Sequence, residues 1–268
     1  MFSKPITKPY LEDIELDIIM PVLNLSNLTI QCIRSIRANT SNYRIILIDN
    51  GSYPDENRIV TEELNKKMDN IMIKNDINLG FVKAVNLGLA RSTAQHICIL
   101  NNDTVVPSEW KQSLINDMYQ GCFDMIGPLS SSIQGRQSIT HIFPKLNQKS
   151  DKINLSEINV LLKKKNLYPI NVKDMIAFYC VILKRSVVER IGYLSEEFGI
   201  GFGDDDDYCI KAIEAGFRIG LSKKVMVFHY HRTTFKNAFG NDMRQQMQNE
   251  NIQILRRKYP HRLWPDAK

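Results

Sequence analysis

The first half of the chain alternates short apolar runs with amphipathic stretches, the pattern of βα units in a mostly parallel, doubly wound sheet flanked by helices. Pro21 is expected to end the first strand, and Ser26 to cap the first helix. The predicted strands are Leu16–Met20, Arg44–Ile48, Ile71–Lys74, His96–Leu100 and Phe123–Ile126. The predicted helices run from Ser26 to about Arg37, from about Glu56 to Met68, from about Val82 to Ala90 and from Trp110 to Tyr119. We therefore predict an α/β protein.

The pattern weakens between Ser130 and Asn171, where Ser, Gln, Asn and Lys prevail. This composition predicts a mobile loop or lid. Periodic order then returns with further elements. These are a core strand at Met175–Leu183, helices at Ser186–Ile191 and Asp204–Ala215, strands at Arg218–Leu221 and Val225–Tyr230, and a basic helix from Gln245 to Tyr259.

Composition is that of an ordinary globular protein: 268 residues, 43% hydrophobic and 24% charged, enough for one large core or two that share a sheet. No apolar run approaches the roughly 18 residues that span a bilayer, and the stretch from Met1 to Glu15 is too polar for a signal peptide. We therefore expect a cytoplasmic protein. Its five cysteines lack metal-binding spacing and are expected to be reduced thiols in the core.

The positive charge is concentrated at the C-terminal end. From Gly220 to Lys268 there are ten Lys and Arg against three Asp and Glu, a net charge of +7, whereas the rest carries 25 against 26, a net charge of −1. Such a segment can face anionic lipid headgroups, nucleic acid or a phosphorylated substrate, or it can simply be a solvated helix face.

Polar side chains follow two of the predicted strands. Asp49 comes directly after Arg44–Ile48, and Asn101, Asn102 and Asp103 come directly after His96–Leu100. Strand ends of this kind carry the binding sites of α/β proteins. The carboxylate of Asp103 suits a hard cation such as Mg²⁺ or Mn²⁺, although Asn and Asp also form ordinary turns and helix caps.

Four consecutive carboxylates, Asp204 to Asp207, open a predicted helix. The helix dipole favours each acid in a first turn by about 0.3–1 kcal/mol, so one or two need no functional explanation. Four in succession repel one another, which raises the pKa of at least one. A carboxylate with a raised pKa close to a bound hydroxyl can act as a general base.

His229 and His231 lie on the same side of the last predicted strand, because side chains alternate along a strand. They can bind a metal together, since Mn²⁺ accepts imidazole, or they can be two partly buried strand histidines. Glycine-rich dinucleotide and P-loop motifs are missing from the sequence, as is Cys/His zinc spacing. Gly80 and Gly88 stand before and within a helix, where we expect close packing against a nucleotide.

The chain resembles the family 2 glycosyltransferases of the GT-A fold, a group that includes bacterial rhamnosyl-, glucosyl- and galactosyltransferases of surface polysaccharides. The resemblance covers roughly Leu16 to Phe235 and rests on six elements in family order. They are Ile19-Met20-Pro21-Val22-Leu23-Asn24, Leu47-Ile48-Asp49-Asn50-Gly51-Ser52, Asn78-Leu79-Gly80-Phe81 with Ala84 and Asn86-Leu87-Gly88, Leu100-Asn101-Asn102-Asp103-Thr104, Gly203 to Cys209, and His229 with Thr234-Phe235.

The resemblance implies a nucleotide-sugar site in which Asp49 accepts a hydrogen bond from the base. Asn101 to Asp103 occupy the position of the family's DxD motif with Asn in place of the first acid, and Leu23 replaces a common aromatic residue. The implied Mn²⁺ or Mg²⁺ ligands are Asp103 and His229, with His231 as a further candidate. The implied nucleotide-sugar residues are Pro21, Val22, Leu23, Asn24, Asp49, Gly51, Asn78, Gly80, Phe81, Asn86, Asn101 and Asn102.

By the same resemblance, Asp205 is the catalytic base, Asp207 a supporting carboxylate, and Asp204 a third member of the catalytic group. Asp205 would deprotonate an acceptor hydroxyl as it attacks the anomeric carbon, giving inversion, while the metal stabilises the leaving diphosphate. Closure of part of the segment from Ser130 to Asn171 would exclude water.

The expected organisation is a GT-A domain over residues 1–239, with a nucleotide-binding half at about 16–128 and an acceptor half at about 129–239, followed by a basic helical extension at 240–268. The expected partners are a UDP-, dTDP- or GDP-linked sugar and a glycan or lipid-linked saccharide acceptor. The extension would touch the inner face of the membrane. A nucleic-acid base or protein as acceptor, and a catalytically silent nucleotide-sugar-binding scaffold, remain as alternatives.

Overall fold

The computed structural model describes residues 13–133, 135–144, 146, 154–230 and 233–262, the side chains of 233–244 excepted. The strands are β1 Leu16–Val22, β2 Tyr43–Asn50, β3 Ile71–Asn75, β4 His96–Leu100, β5 Thr104–Val105, β6 Met125–Ser130, β7 Ile170–Val172, β8 Cys180–Lys184 and β9 Ile219–His229. The helices are α1 Ser26–Asn39, α2 Pro54–Leu64, α3 Phe81–Arg91, α4 Trp110–Gln120, α5 Leu155–Lys165, α6 Arg185–Ile191, α7 Asp204–Glu214 and α8 Thr233–Lys258.

The strands form one sheet in the order β3-β2-β1-β4-β8-β6-β9-β5, with β7 paired to β9. The N-terminal strands β1 to β4 are parallel, as predicted. The second half differs, because β8 runs antiparallel to both β4 and β6, and β9 pairs antiparallel with β5 and β7. The sheet is therefore mixed rather than mostly parallel, and its two faces carry the main hydrophobic clusters.

Two expectations about the first βα unit were wrong. Pro21 does not end β1 but lies opposite Ile48 of β2 within the strand. It is tolerated because the pairing of β1 with β4 stops at Ile19, so no ladder partner requires its missing N–H. Ser26 is the first residue of α1 rather than its cap, and its backbone N–H donates to Oε2 of Glu56 at 2.6 Å.

Other boundaries also moved. The predicted strand Met175–Leu183 is regular only from Cys180 to Lys184. The two strands predicted after Arg218 are one continuous strand, Ile219–His229.

The described part of the segment from Ser130 to Asn171 is packed, so the prediction of a mobile loop or lid is wrong for it. Helix α5 buries Ile158 and Leu162 against Leu129, Ile139 and Met226. Asn159 of α5 also exchanges two hydrogen bonds with the backbone of Met226, at 3.0 and 2.8 Å. The polar side chain of Asn159 thus helps to pack α5 on β9. Composition alone does not reveal that a polar residue has this packing role.

The C-terminal part of helix α8 is attached to the domain. Leu255 of the helix and Tyr259, the residue directly after the helix, are buried in the core. Asn251 donates to the carbonyl oxygens of Gly201 and Phe202, both at 2.8 Å. The proposed separation of residues 240–268 as an extension stays a prediction. Within the described ranges, no helix combines the length and the apolar character that a bilayer crossing requires.

Candidate active site

A cavity of about 780 Å³ opens at the carboxyl ends of β1, β2 and β4. The segments 175–179 and 200–206 and helix α8 form its other walls. Eleven of the sequence-predicted site residues line it: Pro21, Val22, Leu23, Asn78, Phe81, Asn101, Asn102, Asp103, Asp204, Asp205 and His229. The cavity therefore brings most of the predicted site together.

Asp103 and His229 are brought together by the pairing of β5 with β9, in which Thr104 lies opposite His229. Oδ1 of Asp103 lies 3.1 Å from Nε2 of His229, and both side chains are buried. The imidazole also stacks on the ring of Tyr179, with centroids 5.0 Å apart. A carboxylate and an imidazole held in this way are two donor groups of the kind that Mn²⁺ accepts. His231 lies outside the described residues.

The two amides before Asp103 have different surroundings. Nδ2 of Asn102 donates to Oγ1 of Thr29 at 2.9 Å, so this side chain is anchored to α1. Oδ1 of Asn101 is buried and has no hydrogen-bond partner among the described residues. Asn101 therefore presents an unused acceptor at the cavity, and an unsatisfied buried oxygen is costly unless a ligand satisfies it.

The acidic run begins α7, where Gly203 adopts φ +86° just before the helix. Asp204, Asp205 and Asp206 line the cavity. Burial raises the pKa of Asp205 to about 6, and burial together with the charge of Asp205 raises the pKa of Asp206 to about 7. The pKa of the buried Asp204 lies well above its ordinary value for the same two reasons. Asp206 was missed at the sequence level because four identical residues gave no basis for choosing.

Asp207 does not line the cavity, and its role as a supporting carboxylate stays a prediction. Its fully buried carboxylate lies 2.7 Å from Nζ of Lys258 and 3.1 Å from Nζ of Lys211. The hydroxyl of Tyr259 donates to its Oδ1 at 2.8 Å. Asp207 thus anchors the C-terminal end of α8, because the helical turn directs it to the opposite side from Asp205.

Asp49 borders a small adjacent pocket rather than the main cavity. Its carboxylate accepts hydrogen bonds from the backbone N–H of Ser52 at 3.0 Å and from Nδ2 of Asn57 at 2.5 Å. Each carboxylate oxygen has two acceptor sites, so the predicted contact with a base is compatible with these bonds. The structure adds Asn57 as the residue that orients Asp49.

Asn24 and Gly51 connect two loops and do not line the cavity. The N–H of Asn24 donates to Oγ of Ser52 at 2.8 Å, and its side-chain oxygen accepts from the N–H of Tyr53 at 2.9 Å. Gly51 has φ +85°, and a Cβ there would lie 2.7 Å from the carbonyl carbon of Ile77. Both residues hold these loops together through protein contacts, and their direct contact with a nucleotide stays a prediction.

Asn50 organises the loop before α3, a role that sequence reasoning missed. Its Nδ2 donates to Oδ1 of Asn78 at 2.8 Å, and its Oδ1 accepts from Asn75 and from the N–H of Leu79. The signal was its position at the end of β2, next to Asp49. Asn78 also accepts from the N–H of Gly80 at 2.9 Å.

Gly80 and Gly88 pack closely against protein groups, and the expected packing of either against a nucleotide stays a prediction. A Cβ on Gly80 would lie 2.7 Å from the carbonyl oxygen of Gly199, and one on Gly88 would lie 2.4 Å from Cγ2 of Ile19. Gly80 thus allows contact with the loop before α7, and Gly88 allows α3 to pack on the sheet. Asn86 is also outside the cavity, because its amide exchanges two hydrogen bonds of 3.0 Å with the backbone of Leu194.

The charges of the cavity wall bear on whether a divalent cation fits. Within the described chain, four Asp and His229 are the acidic and histidine residues that line the cavity, and no Lys or Arg is among the lining residues. No group of three or more His, Cys, Asp or Glu in that part of the chain converges on one point. Asp103 and His229 therefore suit a cation that a substrate diphosphate helps to hold, as Mg²⁺ commonly is, and not an all-protein cage.

Comparison of sequences identifies relatives. The profile described as glycosyl transferase family 2 matches residues 17–192, more than half of the chain. The chain is 27% identical over 179 residues to an uncharacterized glycosyltransferase of Rickettsia bellii, covering 62% of this chain and 26% of the relative. It is 23% identical over 225 residues to the pre-mycofactocin glycosyltransferase of Mycobacterium tuberculosis, covering 83% and 44%. The chain thus spans about a quarter to a half of the length of these relatives.

Comparison of structures gives the same fold. TarS of S. aureus, solved with UDP-GlcNAc, aligns with a TM-score of 0.64 at 14% identity, over 95% of this chain and 69% of that one. Mannosyltransferase PcManGT from Pyrobaculum calidifontis, solved with GDP-Man and Mn²⁺, aligns with a TM-score of 0.59 at 14% identity, over 95% and 66%. The predicted GT-A fold is confirmed.

The family match covers the strand ends with Asp49 and Asp103 but stops before Asp205 and His229. The roles of these two residues stay predictions. The sequence profile and the shared fold agree on the classification. The chain belongs to glycosyl transferase family 2.

Proposed function

We propose that this chain transfers a sugar from a nucleotide-diphosphate donor to an acceptor hydroxyl, with inversion at the anomeric carbon. One observation carries the proposal: the Asp103–His229 pair and the carboxylates of Asp205 and Asp206 line the same cavity. The first pair suits the diphosphate end of a donor, and the second suits the proton of an acceptor. A transferase needs both in one enclosed space.

The donor would enter over the carboxyl ends of β1 and β2. Its base would lie against Leu23 and near Asp49, and its diphosphate near Asn101 and Asp103. Because the described wall offers no Lys or Arg, the diphosphate charge needs a cation. A Mn²⁺ or Mg²⁺ ion held by Asp103 and His229 would supply that charge and stabilise the leaving group. UDP-, dTDP- and GDP-linked sugars are all candidates.

Asp205 would accept the proton of the acceptor hydroxyl, as the family resemblance implies. Its pKa of about 6 leaves it mostly ionised at neutral pH, yet more basic than an exposed carboxylate. Asp206 has the still higher pKa of about 7 and lines the same wall. A direct attack on the face opposite the diphosphate would give inversion. Asp206 is the second candidate for the base.

The biological acceptor would be a lipid-linked saccharide or a surface glycan. Exposed basic residues near the end of α8, such as Arg257, would then lie near anionic lipid headgroups on the cytoplasmic face of a membrane. The competing acceptors are a nucleic-acid base and a protein side chain. Salt-sensitive binding of DNA, in place of binding to anionic vesicles, would favour the nucleic acid.

The proposal is tested by following the release of nucleoside diphosphate from a panel of UDP-, dTDP- and GDP-sugars with Mn²⁺, Mg²⁺ or EDTA. We expect release from one donor class, dependent on metal and strongly reduced in Asp205→Asn. The variant should still bind the nucleotide. Binding of a nucleotide-sugar by wild-type protein, with no turnover under any condition, would replace the proposal with the silent scaffold.

A further inference from the structure

One face of helix α8 forms a wall of the cavity, although no sequence motif placed this helix in the site. Its lining side chains recur at helical spacing, which places them in one stripe. They are Gln245, Gln248, Asn249, Ile252 and Leu255, with Asn251 beside them. The acidic segment Asp204–Asp206 lines the same cavity. A molecule in contact with the stripe therefore shares the space that the candidate base faces.

The stripe consists of amides and apolar groups and carries no charge. Gln248 and Asn249 are half-buried, and neither side chain has a hydrogen-bond partner within the described ranges. An amide offers both a donor and an acceptor, which matches a sugar hydroxyl because that group also donates and accepts. Ile252 adds an apolar contact for the carbon face of a ring.

The charges that surround the stripe disfavour an anionic acceptor. Asp204, Asp205 and Asp206 face the stripe's cavity, and no described Lys or Arg offsets them there. A phosphate or carboxylate on the acceptor would be repelled by the ionised fraction of these carboxylates, above all by Asp205, whose pKa of about 6 leaves it mostly ionised at neutral pH. Among the side chains of α8 that the structure describes, no Lys or Arg lines the cavity. Lys258, for example, is paired with Asp207 outside the cavity.

A strained aromatic residue stands between the stripe and the acidic run. Phe202 lines the cavity with φ +70°, a conformation that is costly for a bulky residue other than glycine. Asn251 of α8 holds it there by donating to its carbonyl oxygen at 2.8 Å, and to that of Gly201 at the same distance. Helix α8 thus fixes both the amide stripe and an aromatic ring on one wall.

From this arrangement we infer that the cavity-facing side of α8, with Gln248 and Asn249 as hydrogen-bonding residues and Phe202 as a ring platform, is an acceptor subsite for an uncharged saccharide. This inference rests on the proposed transferase function and adds to it the class of acceptor. It separates recognition of the acceptor, on α8, from recognition of the donor, on the strand ends.

The test uses the full chain, the donor found active in nucleotide release, and simple aryl glycosides as acceptor probes. The probes are neutral p-nitrophenyl hexosides and the anionic p-nitrophenyl glucuronide. Nucleotide release without any acceptor, by transfer to water, measures the donor site alone. We expect neutral glycosides to stimulate release and the glucuronide to stimulate it less.

Gln248→Ala and Asn249→Ala should each raise the KM for the neutral glycoside about three- to tenfold, the effect of losing one neutral hydrogen bond. The ratio of stimulated to unstimulated release should fall accordingly. Gln253→Ala is the matched control, because Gln253 is an exposed amide on the same helix that does not line the cavity.

The outcomes separate the two proposals. Absence of metal-dependent release from every donor, with or without acceptor, defeats the transferase itself. Release to water that no neutral glycoside stimulates, or that the glucuronide stimulates equally well, overturns the acceptor subsite alone. Unchanged KM values for the glycoside in both α8 variants would also overturn it. Circular dichroism establishes that each variant is folded before it is assayed.

Discussion

Nε2 of His229 lies 3.1 Å from Oδ1 of Asp103, and the antiparallel pairing of β5 with β9 sets this contact. The pairing is only two residues long, Thr104 with His229 and Val105 with Phe228. The backbone N–H of Tyr230 extends it by donating to the carbonyl oxygen of Asp103 at 2.9 Å. The last strand of the chain therefore completes a site that begins at the end of β4.

The first prediction concerns metal-dependent binding at this pair. Asp103→Asn keeps the shape of the side chain but removes its charge, so a divalent cation loses its carboxylate ligand. In wild-type protein, a nucleoside diphosphate with Mn²⁺ at about 100 times the dissociation constant should add about 2.7 kcal/mol to the free energy of unfolding. The variant should lose most of this stabilisation, measured as a thermal shift.

Asp69→Asn is the control for that measurement, because Asp69 is an exposed acid just before β3, at the amino end of the parallel strands. It should retain the full shift. An equal shift with and without Mn²⁺ in the wild type would show that Asp103 and His229 do not act through a cation.

The second prediction concerns pH. The acceptor base must be ionised, and the pKa values of Asp205 and Asp206 are about 6 and 7. The value of kcat/KM should therefore rise with pH between about 5.5 and 7.5. A profile that is flat over this interval would exclude both residues as the base. Comparing Asp205→Asn with Asp206→Asn assigns the role: the variant that loses turnover and the pH dependence together identifies it.

The same pKa shifts predict the effect of pH on stability. Folding raises the pKa of Asp206 above its unfolded value of about 3.8, so the native state binds more protons between about pH 4 and pH 7. The free energy of unfolding should therefore fall as pH rises through this interval. Asp206→Asn should stabilise the protein at pH 8, and this gain should shrink toward pH 4.

Urea denaturation at pH 4.5 and pH 8 measures this dependence in the two proteins. Glu197→Gln, which removes an acid from the exposed surface, serves as the comparison and should show no such pH-dependent gain. If Asp206→Asn is less stable than wild type at pH 8, its carboxylate makes favourable interactions that outweigh its burial.

Local patterns along the chain predicted the elements that present the site. The strand His96–Leu100 was predicted with its observed bounds, because five consecutive buried residues before a polar turn have few alternative structures. The position of Asp103, just after the end of this strand, followed from the same pattern. Its contact with His229 was beyond local reasoning, since it depends on which distant strand pairs with a two-residue strand.

Two other predicted site residues, Asp207 and Asn86, make contacts within the protein that their local sequence does not indicate. Asp207 was grouped with Asp205 because the sequence does not show which acids of a helical turn face Lys258. Asn86 was predicted to contact the nucleotide-sugar, but its side-chain amide forms hydrogen bonds with the backbone of Leu194. Polar side chains that satisfy buried backbone groups look, in a sequence, like polar side chains that await a ligand.

The fourth prediction concerns the attachment of α8. Lys258→Ala removes a cation from a fully buried carboxylate, leaving Asp207 with Lys211 and the hydroxyl of Tyr259. We expect a loss of about 1.5–3 kcal/mol, the range for a hydrogen bond to a charged group, with the partial exposure of Lys258 favouring the lower end. Urea denaturation measures it, and Lys258→Arg should recover part of the loss.

Arg257→Ala is the control for the loss of positive charge, since Arg257 is exposed on the same turn. Equal destabilisation by the two alanine variants would mean that helix propensity or net charge, and not the contact with Asp207, explains the result. Removing α8 altogether is a poorer test, because Leu255 and Tyr259 would leave the core.

The final prediction separates two costs of replacing a glycine near the site. Gly80 and Gly135 both have positive φ angles, +85° and +79°, so alanine is strained at both, by about 1–3 kcal/mol. Only at Gly80 does the new Cβ meet backbone, 2.7 Å from the carbonyl oxygen of Gly199. Gly80→Ala should therefore cost about 2–4 kcal/mol of unfolding free energy, within the range of severe single substitutions. It should also weaken nucleotide binding, because the loop it displaces leads directly into the cavity wall at Ile200 and Gly201.

Gly135→Ala should show the strain alone and bind nucleotide normally. Equal losses at both positions in urea denaturation would show that the loop before α7 yields freely, and that its contact with Gly80 does not hold the acidic run in place.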